Sequence, residues 1–141
     1  VIETEAETRR LIESTNDSVK LLIDTGHMLF AGGNSIKITE DFIERIIHVH
    51  CKDIRKNILD KSLKNDSTFR QAFLDGAFTV PGDGCIDYKP FLTLLKSKDY
   101  SGWLVVEAEQ DPAKANPFKY AKIGYNYLSK TAKECGFNII R

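Results

Sequence analysis

Short apolar runs alternate with amphipathic stretches along this chain, and the alternation limits the fold more than any other feature. The runs cover 19–25, 46–53 and 103–109, and each has the length and the branched side chains of a buried strand. Helical patterns lie before, between and after them, which is the order of parallel βα units. Three parallel strands leave two bare edges. The chain is therefore predicted to be a small open sheet or part of a larger (β/α) barrel.

Capping signals predict where the helices begin. A helix is predicted over 4–15, where acidic residues lie early in the segment. Thr39 is interpreted as the cap of a stretch whose apolar residues continue into the second strand. Asp87 is interpreted as the cap of a helix that ends near Asp99.

The sequence pattern is strongest at the final helix and weakest over 54–86. Asn116 is predicted to cap the final helix, Pro117 occupies its first position, and Gly136 follows its end. The connection over 54–86 is mostly polar, with one short helical stretch around Phe69. Connections of this length are usually functional or disordered.

The composition excludes several classes of partner. Lys and Arg together number 20, as do Asp and Glu, so no net field favours nucleic acid or an anionic membrane. There is no apolar run of about 18 residues, and the opening segment 1–5 is neither basic nor apolar. We therefore expect one soluble domain over 1–141, with no membrane or nucleic-acid partner.

The cysteines predict a reducing environment. They are three in number and widely spaced, at Cys51, Cys85 and Cys135, which argues against a disulfide framework. The cytoplasm is the expected location. Cys51 falls within a predicted strand and is interpreted as a small packing residue, not as a nucleophile.

Counting in twos divides each predicted strand into two faces, because side chains alternate across a strand. The packing face carries only uncharged residues: Leu21, Ile23, Ile47, Val49, Cys51, Leu104, Val106 and Ala108. The opposite face carries ionisable residues at the C-terminal ends of the strands: Asp24, His48, His50, Lys52, Glu107 and Glu109. Ligands bind at that edge of a parallel sheet, because the βα loops converge there.

Carboxylates and imidazoles that converge on one edge indicate a metal site. Such groups are costly to bury without partners, and a divalent cation satisfies both kinds. A site without thiolates suits Mn²⁺, Co²⁺, Fe²⁺, Mg²⁺ or Zn²⁺. Taken singly, Asp24 is also explained as a cap or turn residue, the paired histidines as core residues, and Glu107 with Glu109 as a solvated strand end. Their combination favours the metal.

His27 follows Asp24 in the segment DTGH, which is predicted to be a loop. From a loop at this edge the imidazole can serve as a metal ligand, a substrate contact or a proton carrier. The alternative is a structural residue at the start of a helix. The residues alone leave both interpretations open.

Four segments carry a resemblance to a known family: 21–33 (LLIDTGHMLFAGG), 48–53 (HVHCKD), 80–84 (VPGDG) and 102–117 (GWLVVEAEQDPAKANP). Over essentially its whole length the chain resembles the inosose dehydratases of inositol degradation, within the xylose-isomerase-like barrel superfamily. The first two segments are shared widely among sugar isomerases and epimerases, whereas the last is specific. The resemblance implies an α/β fold, a (β/α)₈ TIM barrel of which this chain supplies the last three strands with their flanking helices.

The resemblance also implies roles for individual residues. Asp24, His50 and Glu107 fall at metal-ligand positions, and a further ligand would come from a preceding strand outside this sequence. His27 falls at a substrate-contact position, and His48 is assigned to substrate binding beside it. The choice of His50 over His48 as ligand follows the family pattern, because face counting does not separate them.

The implied reaction is the dehydration of 2-keto-myo-inositol, a cyclic polyol ketone, to a trihydroxycyclohexane-1,2-dione. The implied metal is Mn²⁺ or Co²⁺, and a glutathione requirement is left open. A metal-bound ketone is polarised, so the neighbouring C–H proton is removed more easily and the β-hydroxyl then leaves as water. A base and an acid are needed, and His27, Lys52 and Glu109 are the unranked local candidates.

Three other interpretations stay open from the sequence. A keto-sugar isomerase or epimerase would use the same metal and the same proton removal, but would return the proton to carbon. An endonuclease of abasic DNA shares the barrel, although the zero net charge argues against it. An inactive half-barrel or binding module is the non-enzymatic alternative, and its bare sheet edges would favour self-association into a homo-oligomer.

Overall fold

A computed structural model describes residues 2–140, so the terminal Val1 and Arg141 of the predicted domain lie outside the described residues. The strands are β1 (Leu21–Asp24), β2 (Ile46–Cys51), β3 (Asp53–Ile54), β4 (Phe78–Thr79) and β5 (Trp103–Val106). β1, β2 and β5 form a parallel sheet in that order, and β3 pairs with β4 antiparallel. The predicted parallel βα units are confirmed.

The helices follow the predicted order, with additions. They are α1 (Glu5–Glu13), α2 (Thr25–Phe30), α3 (Ser35–Phe42), α4 (Lys56–Lys64), α5 (Phe69–Asp75), α6 (Tyr88–Ser97) and α7 (Pro117–Glu134), with a 3₁₀ turn over Ile43–Arg45. Asp87 and Asn116 cap α6 and α7 as predicted, each accepting a hydrogen bond from a first-turn N–H. Gly136 follows α7 with φ of 87°, a left-handed conformation that glycine adopts without strain. Within residues 2–140 no helix is long and apolar enough to cross a membrane.

The predicted cap at Thr39 is wrong. α3 begins at Ser35, because the Asn34 side chain accepts hydrogen bonds from the N–H groups of Ile36 and Lys37. Thr39 lies inside the helix and is fully buried. Asn and Thr are both common cap residues, so local preference alone did not choose between them.

The connection over 54–86 has more regular structure than its sequence predicts. The predicted helix around Phe69 is present as α5, and α4 is an additional helix that packs against it. No side chain caps α4 at Arg55, and only Leu59 and Ser62 are buried along it. The helix therefore carries neither a start signal nor a wide apolar stripe.

One residue breaks the predicted division of β2 into faces. The register between β1 and β2 shifts, so that Leu21 and Leu22 pair with Ile46 and His48 and leave Ile47 without a partner. Ile46 is consequently 5% exposed and Ile47 56% exposed. The prediction that Ile47 packs under helices is wrong, because an extra residue in a strand reverses the alternation at that point. Beyond it β2 keeps the predicted faces.

The main core lies between the parallel sheet and the helices α6 and α7. Ile23, Val49 and Cys51 from the sheet pack there with Phe91 and Leu128. Burial raises the pKa of the Cys51 thiol, which agrees with the predicted packing role. A second, smaller core packs the 54–86 excursion onto α2: Ile54, Leu59, Ala72, Ala77 and Phe78, with Leu29 and Phe30 beside them.

The parallel sheet is an arc with two bare edges. β1 and β5 pair only with β2 within the described residues. Trp103, on the outer strand β5, is 73% exposed. A groove of about 830 Å³ extends from β5 to Ile140. The expectation of unpaired sheet edges is therefore met.

Candidate metal centre

Asp24 ends β1 and also caps α2. Its Oδ1 accepts the backbone N–H of His27 at 2.8 Å, so DTGH is the start of a helix and the predicted loop is wrong. Its Oδ2 lies 3.6 Å from His50 Nδ1 and 3.4 Å from Lys52 Nζ. Because the cap and the site use different oxygens, the two interpretations of Asp24 are compatible.

Asp24, His50 and Glu107 meet at the C-terminal edge of the parallel sheet. Asp24 is opposite His50 in the register of β1 on β2, and Glu107 follows the end of β5 on the other side. One potential ligand atom of each residue lies within 4.8 Å of the other two. The structure thus brings together the three residues predicted as metal ligands, and their role as ligands stays a prediction.

The contact between His50 and Glu107 indicates whether a cation would fit among the three side chains. His50 Nδ1 and Glu107 Oε2 are 2.7 Å apart, but Oε2 is buried and has no hydrogen-bond partner within residues 2–140. The two atoms are close without the geometry of a hydrogen bond. A buried carboxylate oxygen left unsatisfied is costly, and two carboxylates with an imidazole are ordinary ligands of divalent metals. The residues therefore fit such an ion.

Lys52 lies among the carboxylates and is 1% exposed. Its Nζ is 2.5 Å from Glu109 Oε2, 3.1 Å from Glu107 Oε1 and 2.6 Å from His27 Nε2. Glu109 Oε2 also lies 3.1 Å from His27 Nε2. The predicted catalytic residues His27, Lys52 and Glu109 thus form one contact group beside the metal cluster, and their catalytic roles stay predictions.

The surroundings of Lys52 stabilise its charged form. Burial by itself would lower the pKa of Lys52, but the hydrogen bond to Glu109 and the charges of Asp24 and Glu107 outweigh it, so the pKa lies above its ordinary value. Lys52 is therefore an ammonium at neutral pH and can only donate hydrogen bonds. His27 Nε2 lies between this ammonium and Glu109 Oε2, at 2.6 Å and 3.1 Å, so it can accept from Lys52 when the ring proton is on Nδ1.

A buried pair of hydroxyls holds the main chain at Lys52. The Tyr88 hydroxyl donates to the Lys52 carbonyl at 2.8 Å, and Thr25 Oγ1 donates to the same carbonyl at 2.7 Å. A Cβ at Gly26 would lie 2.7 Å from the Lys52 side chain, so only glycine permits this approach of α2. Sequence reasoning missed Thr25 and Tyr88, although Thr25 lies within the DTGH segment and Tyr88 directly follows the cap at Asp87.

His48 stands apart from the contact group. It lies on the same face of β2 as His50, and their ring centroids are 5.3 Å apart. In the sheet register His48 is opposite Leu22 and Trp103, closer to the middle of the sheet. The metal cluster found among the described residues does not include it. The assignment of His48 to substrate binding stays a prediction.

Aromatic rings from the 54–86 excursion border His27. The ring centroids of Phe78 and Phe69 lie 5.1 Å and 5.8 Å from that of His27. The Lys52 ammonium also lies over the Phe78 ring, 5.5 Å from its centroid. The excursion therefore forms a side wall of the site, and the polar pattern of its sequence did not indicate this.

The sequence also matches a described family. Residues 1–131 match the family described as a xylose isomerase-like TIM barrel. The chain belongs to this family. Its parallel sheet is thus an arc of a TIM barrel, and the cluster of Asp24, His50 and Glu107 lies at the strand ends where enzymes of this fold bind their substrates.

Curated relatives agree with the family and with the resemblance to inosose dehydratases. The rhizopine catabolism protein MocC of Rhizobium meliloti is 45% identical over 139 residues. Inosose dehydratases of Histophilus somni and Bacillus licheniformis are 46% and 49% identical over 134 and 130 residues. These alignments cover 92–99% of this chain and 43–45% of the relatives. The chain spans less than half the length of the curated relatives it matches.

Solved structures confirm the fold. A xylose isomerase-like TIM barrel/4-hydroxyphenylpyruvate dioxygenase fusion protein superposes with a TM-score of 0.68 at 19% identity, covering 94% of this chain and 20% of that one. The IolI protein with a bound zinc atom superposes with a TM-score of 0.56 at 24% identity, covering 94% and 42%. At these identities the likeness concerns architecture alone, and it agrees with the predicted TIM barrel.

Proposed function

We propose that the whole protein is an inosose dehydratase, a hydro-lyase that removes water from 2-keto-myo-inositol, and that this chain supplies the C-terminal half of its barrel. One observation carries the proposal. A carboxylate–imidazole cluster adjoins a buried lysine at one edge of the sheet, in a chain 46–49% identical to inosose dehydratases. Dehydration beside a ketone needs both groups: one polarises the carbonyl, and the other moves protons.

In this proposal the other barrel strands belong to the part of the protein that the chain does not span, together with a further metal ligand. The relatives support this, because the chain covers 43–45% of their length. The open sheet supports it as well. Leu22 and Trp103 are 46% and 73% exposed on β1 and β5, where a closed barrel would cover them.

The metal in this proposal is Mn²⁺ or Co²⁺, held by the carboxylates of Asp24 and Glu107 and the imidazole of His50. Oxygen and imidazole ligands suit both ions, and the zinc atom in the IolI protein supports a divalent metal in this fold. Once bound, the ion would polarise the substrate carbonyl and make the neighbouring C–H proton more acidic.

The remaining groups divide the proton transfers. Glu109 takes the proton from the carbon beside the ketone, and the electron pair of that C–H bond forms the new double bond. Lys52 gives a proton to the hydroxyl on the next carbon, which leaves as water. The carbon that lost its proton then carries a hydroxyl on the new double bond, and this enol tautomerises to the dione. The acid role suits Lys52 because Glu109 and the neighbouring carboxylates keep it charged. His27, whose Nε2 faces Lys52, orients the ammonium and contacts the substrate.

The test is dehydration of 2-keto-myo-inositol by the full-length protein before and after chelation, with Mn²⁺ or Co²⁺ restored and with and without glutathione. We expect the dione only when metal is present, and none from Asp24→Asn. Asp17→Asn is the matched control, because the Asp17 side chain is 95% exposed. A metal-loaded protein that returns an isomerised ketose and no dione would replace the dehydratase with an isomerase or epimerase.

A further inference from the structure

Phe69 lies on the inward face of α5. Phe69, Ala72 and Phe73 have the spacing of one helical stripe, and Ala72 is fully buried in the second core. Phe69 also contacts Phe30 of α2, with ring centroids 5.6 Å apart. A residue in this position would ordinarily be covered by the element that its helix packs on.

Phe69 is nevertheless 46% exposed, whereas Phe78 of the same aromatic group is fully buried. Its ring stacks on the His27 imidazole at an interplanar angle of 18°, and the His27 side chain is itself 43% exposed. The two rings are therefore partly exposed side by side, and His27 Nε2 in turn contacts Lys52 and Glu109. The apolar exposure of Phe69 lies beside the reacting groups, not on a remote surface.

We propose that Phe69 is a specificity-determining residue, whose ring packs against the C–H face of a cyclic polyol in the site. The inference deepens the proposed function and rests on it. A six-membered polyol ring carries its hydroxyls around the rim and presents a flat face of C–H groups, which an aromatic ring can cover. An open-chain polyol has no fixed face of this kind and loses more conformational freedom when it binds.

Binding of unreactive polyols separates this role from turnover. The probes are myo-inositol, which has the ring without the ketone, and glucitol, an open chain, titrated by calorimetry into the metal-loaded full-length protein. We expect the wild type to prefer myo-inositol, and Phe69→Ala to raise its Kd about tenfold with little change for glucitol. Phe69→Tyr keeps the ring and should stay within about twofold of the wild type.

Two further variants control for packing. Phe69→Leu keeps an apolar side chain on α5 packed against Phe30 of α2 but removes the flat face, so it should retain the unfolding midpoint and still lose the preference for myo-inositol. Phe118→Ala truncates a phenylalanine of α7 that is 80% exposed. It should change neither the unfolding midpoint nor the preference for myo-inositol. Two results would overturn the inference: equal losses of affinity for myo-inositol and glucitol in Phe69→Ala, or a preference for myo-inositol that survives in Phe69→Leu.

The outcome is distinguishable from a failure of the proposed function. If the wild type forms no dione but binds myo-inositol in a Phe69-dependent way, the ring-binding role stands and the dehydratase proposal falls. If the wild type forms dione and its binding does not distinguish ring from open chain, the role of Phe69 falls and the dehydratase proposal stands.

Discussion

The two faces of the parallel sheet differ in how far the described residues cover them. On the helix-covered face Ile23 and Val49 are 1% and 0% exposed, whereas on the other side Leu22, Ile47 and Trp103 are 46%, 56% and 73% exposed. The first face is a finished core. The second is completed, in our proposal, by the rest of the barrel. The metal cluster lies at the edge of this open side, so the residues that stabilise the sheet and those proposed to act on substrate are largely separate.

The largest expected effect is at Lys52, a buried residue that faces the open side. Lys52→Met keeps much of the side-chain volume and removes the ammonium that the neighbouring carboxylates surround. We expect kcat of the metal-loaded full-length protein to fall about 10²–10⁴-fold, because the acid is lost. Lys20→Met, at an exposed lysine, is the control. A kcat within about threefold of the wild type would remove Lys52 from the mechanism.

Adjacent residues of β1 compare the two faces directly. Ile23→Ala should lower the free energy of unfolding of the 1–141 chain by about 2–5 kcal/mol, because it leaves a cavity in the finished core. Leu22→Ala should cost less than about 1 kcal/mol in the same chain, since the side chain is about half exposed there. Urea unfolding measures both.

The same two variants, Ile23→Ala and Leu22→Ala, test the proposal that the rest of the protein completes the barrel. In the full-length protein the cost of Leu22→Ala should rise toward that of Ile23→Ala, because the other strands would bury the side chain. Unchanged costs in the two contexts would argue that this face stays open.

A smaller effect is expected at Tyr88, whose hydroxyl reaches the Lys52 carbonyl from the helix-covered face of the sheet. Tyr88→Phe removes the hydroxyl that contacts the Lys52 carbonyl and Thr25 Oγ1. We expect a loss of about 1–2 kcal/mol in the free energy of unfolding, and a fall in kcat larger than any rise in KM. Tyr125→Phe, at a half-exposed tyrosine of α7, is the control. A loss of stability with unchanged kcat would make Tyr88 purely structural.

The smallest effect concerns Asp53, next to Lys52 but inside the fold. Its Oδ1 accepts the N–H groups of Ile54 and Ile86, and burial raises the pKa of its carboxyl above the ordinary 3.8. Because the pKa of Asp53 is higher in the folded than in the unfolded protein, its ionisation destabilises the fold. The contribution of the protonated carboxyl to stability is therefore complete below the unfolded-state pKa and is lost as pH rises through the folded-state pKa.

Asp53→Asn tests this pH dependence. The variant keeps an oxygen for both N–H groups and cannot ionise, so the loss of stability with rising pH should vanish. Urea unfolding from pH 3.5 to 7 measures it, with Asp17→Asn as control. The same slope in wild type and Asp53→Asn would contradict the assignment.

The sequence predicted the features whose causes lie within a few residues. The caps at Asp87 and Asn116 and the alternation beyond Ile47 are of this kind, because a cap needs one side chain and a strand face needs a period of two. The errors arose where local signals compete or are weak. Asn34 and Thr39 are both acceptable caps, and nothing local reveals the extra residue at Ile47.

The candidate site divides in the same way. The sequence by itself determined that Asp24, His50 and Glu107 stand at neighbouring strand ends, since parallel strands present their C-terminal ends at one edge. Only the tertiary structure decided that Lys52 is buried against Glu109, 57 residues away, and that Phe69 borders His27. Those contacts depend on how β5 and the 54–86 excursion pack against the sheet and α2, and packing between elements distant in sequence leaves no local pattern to read.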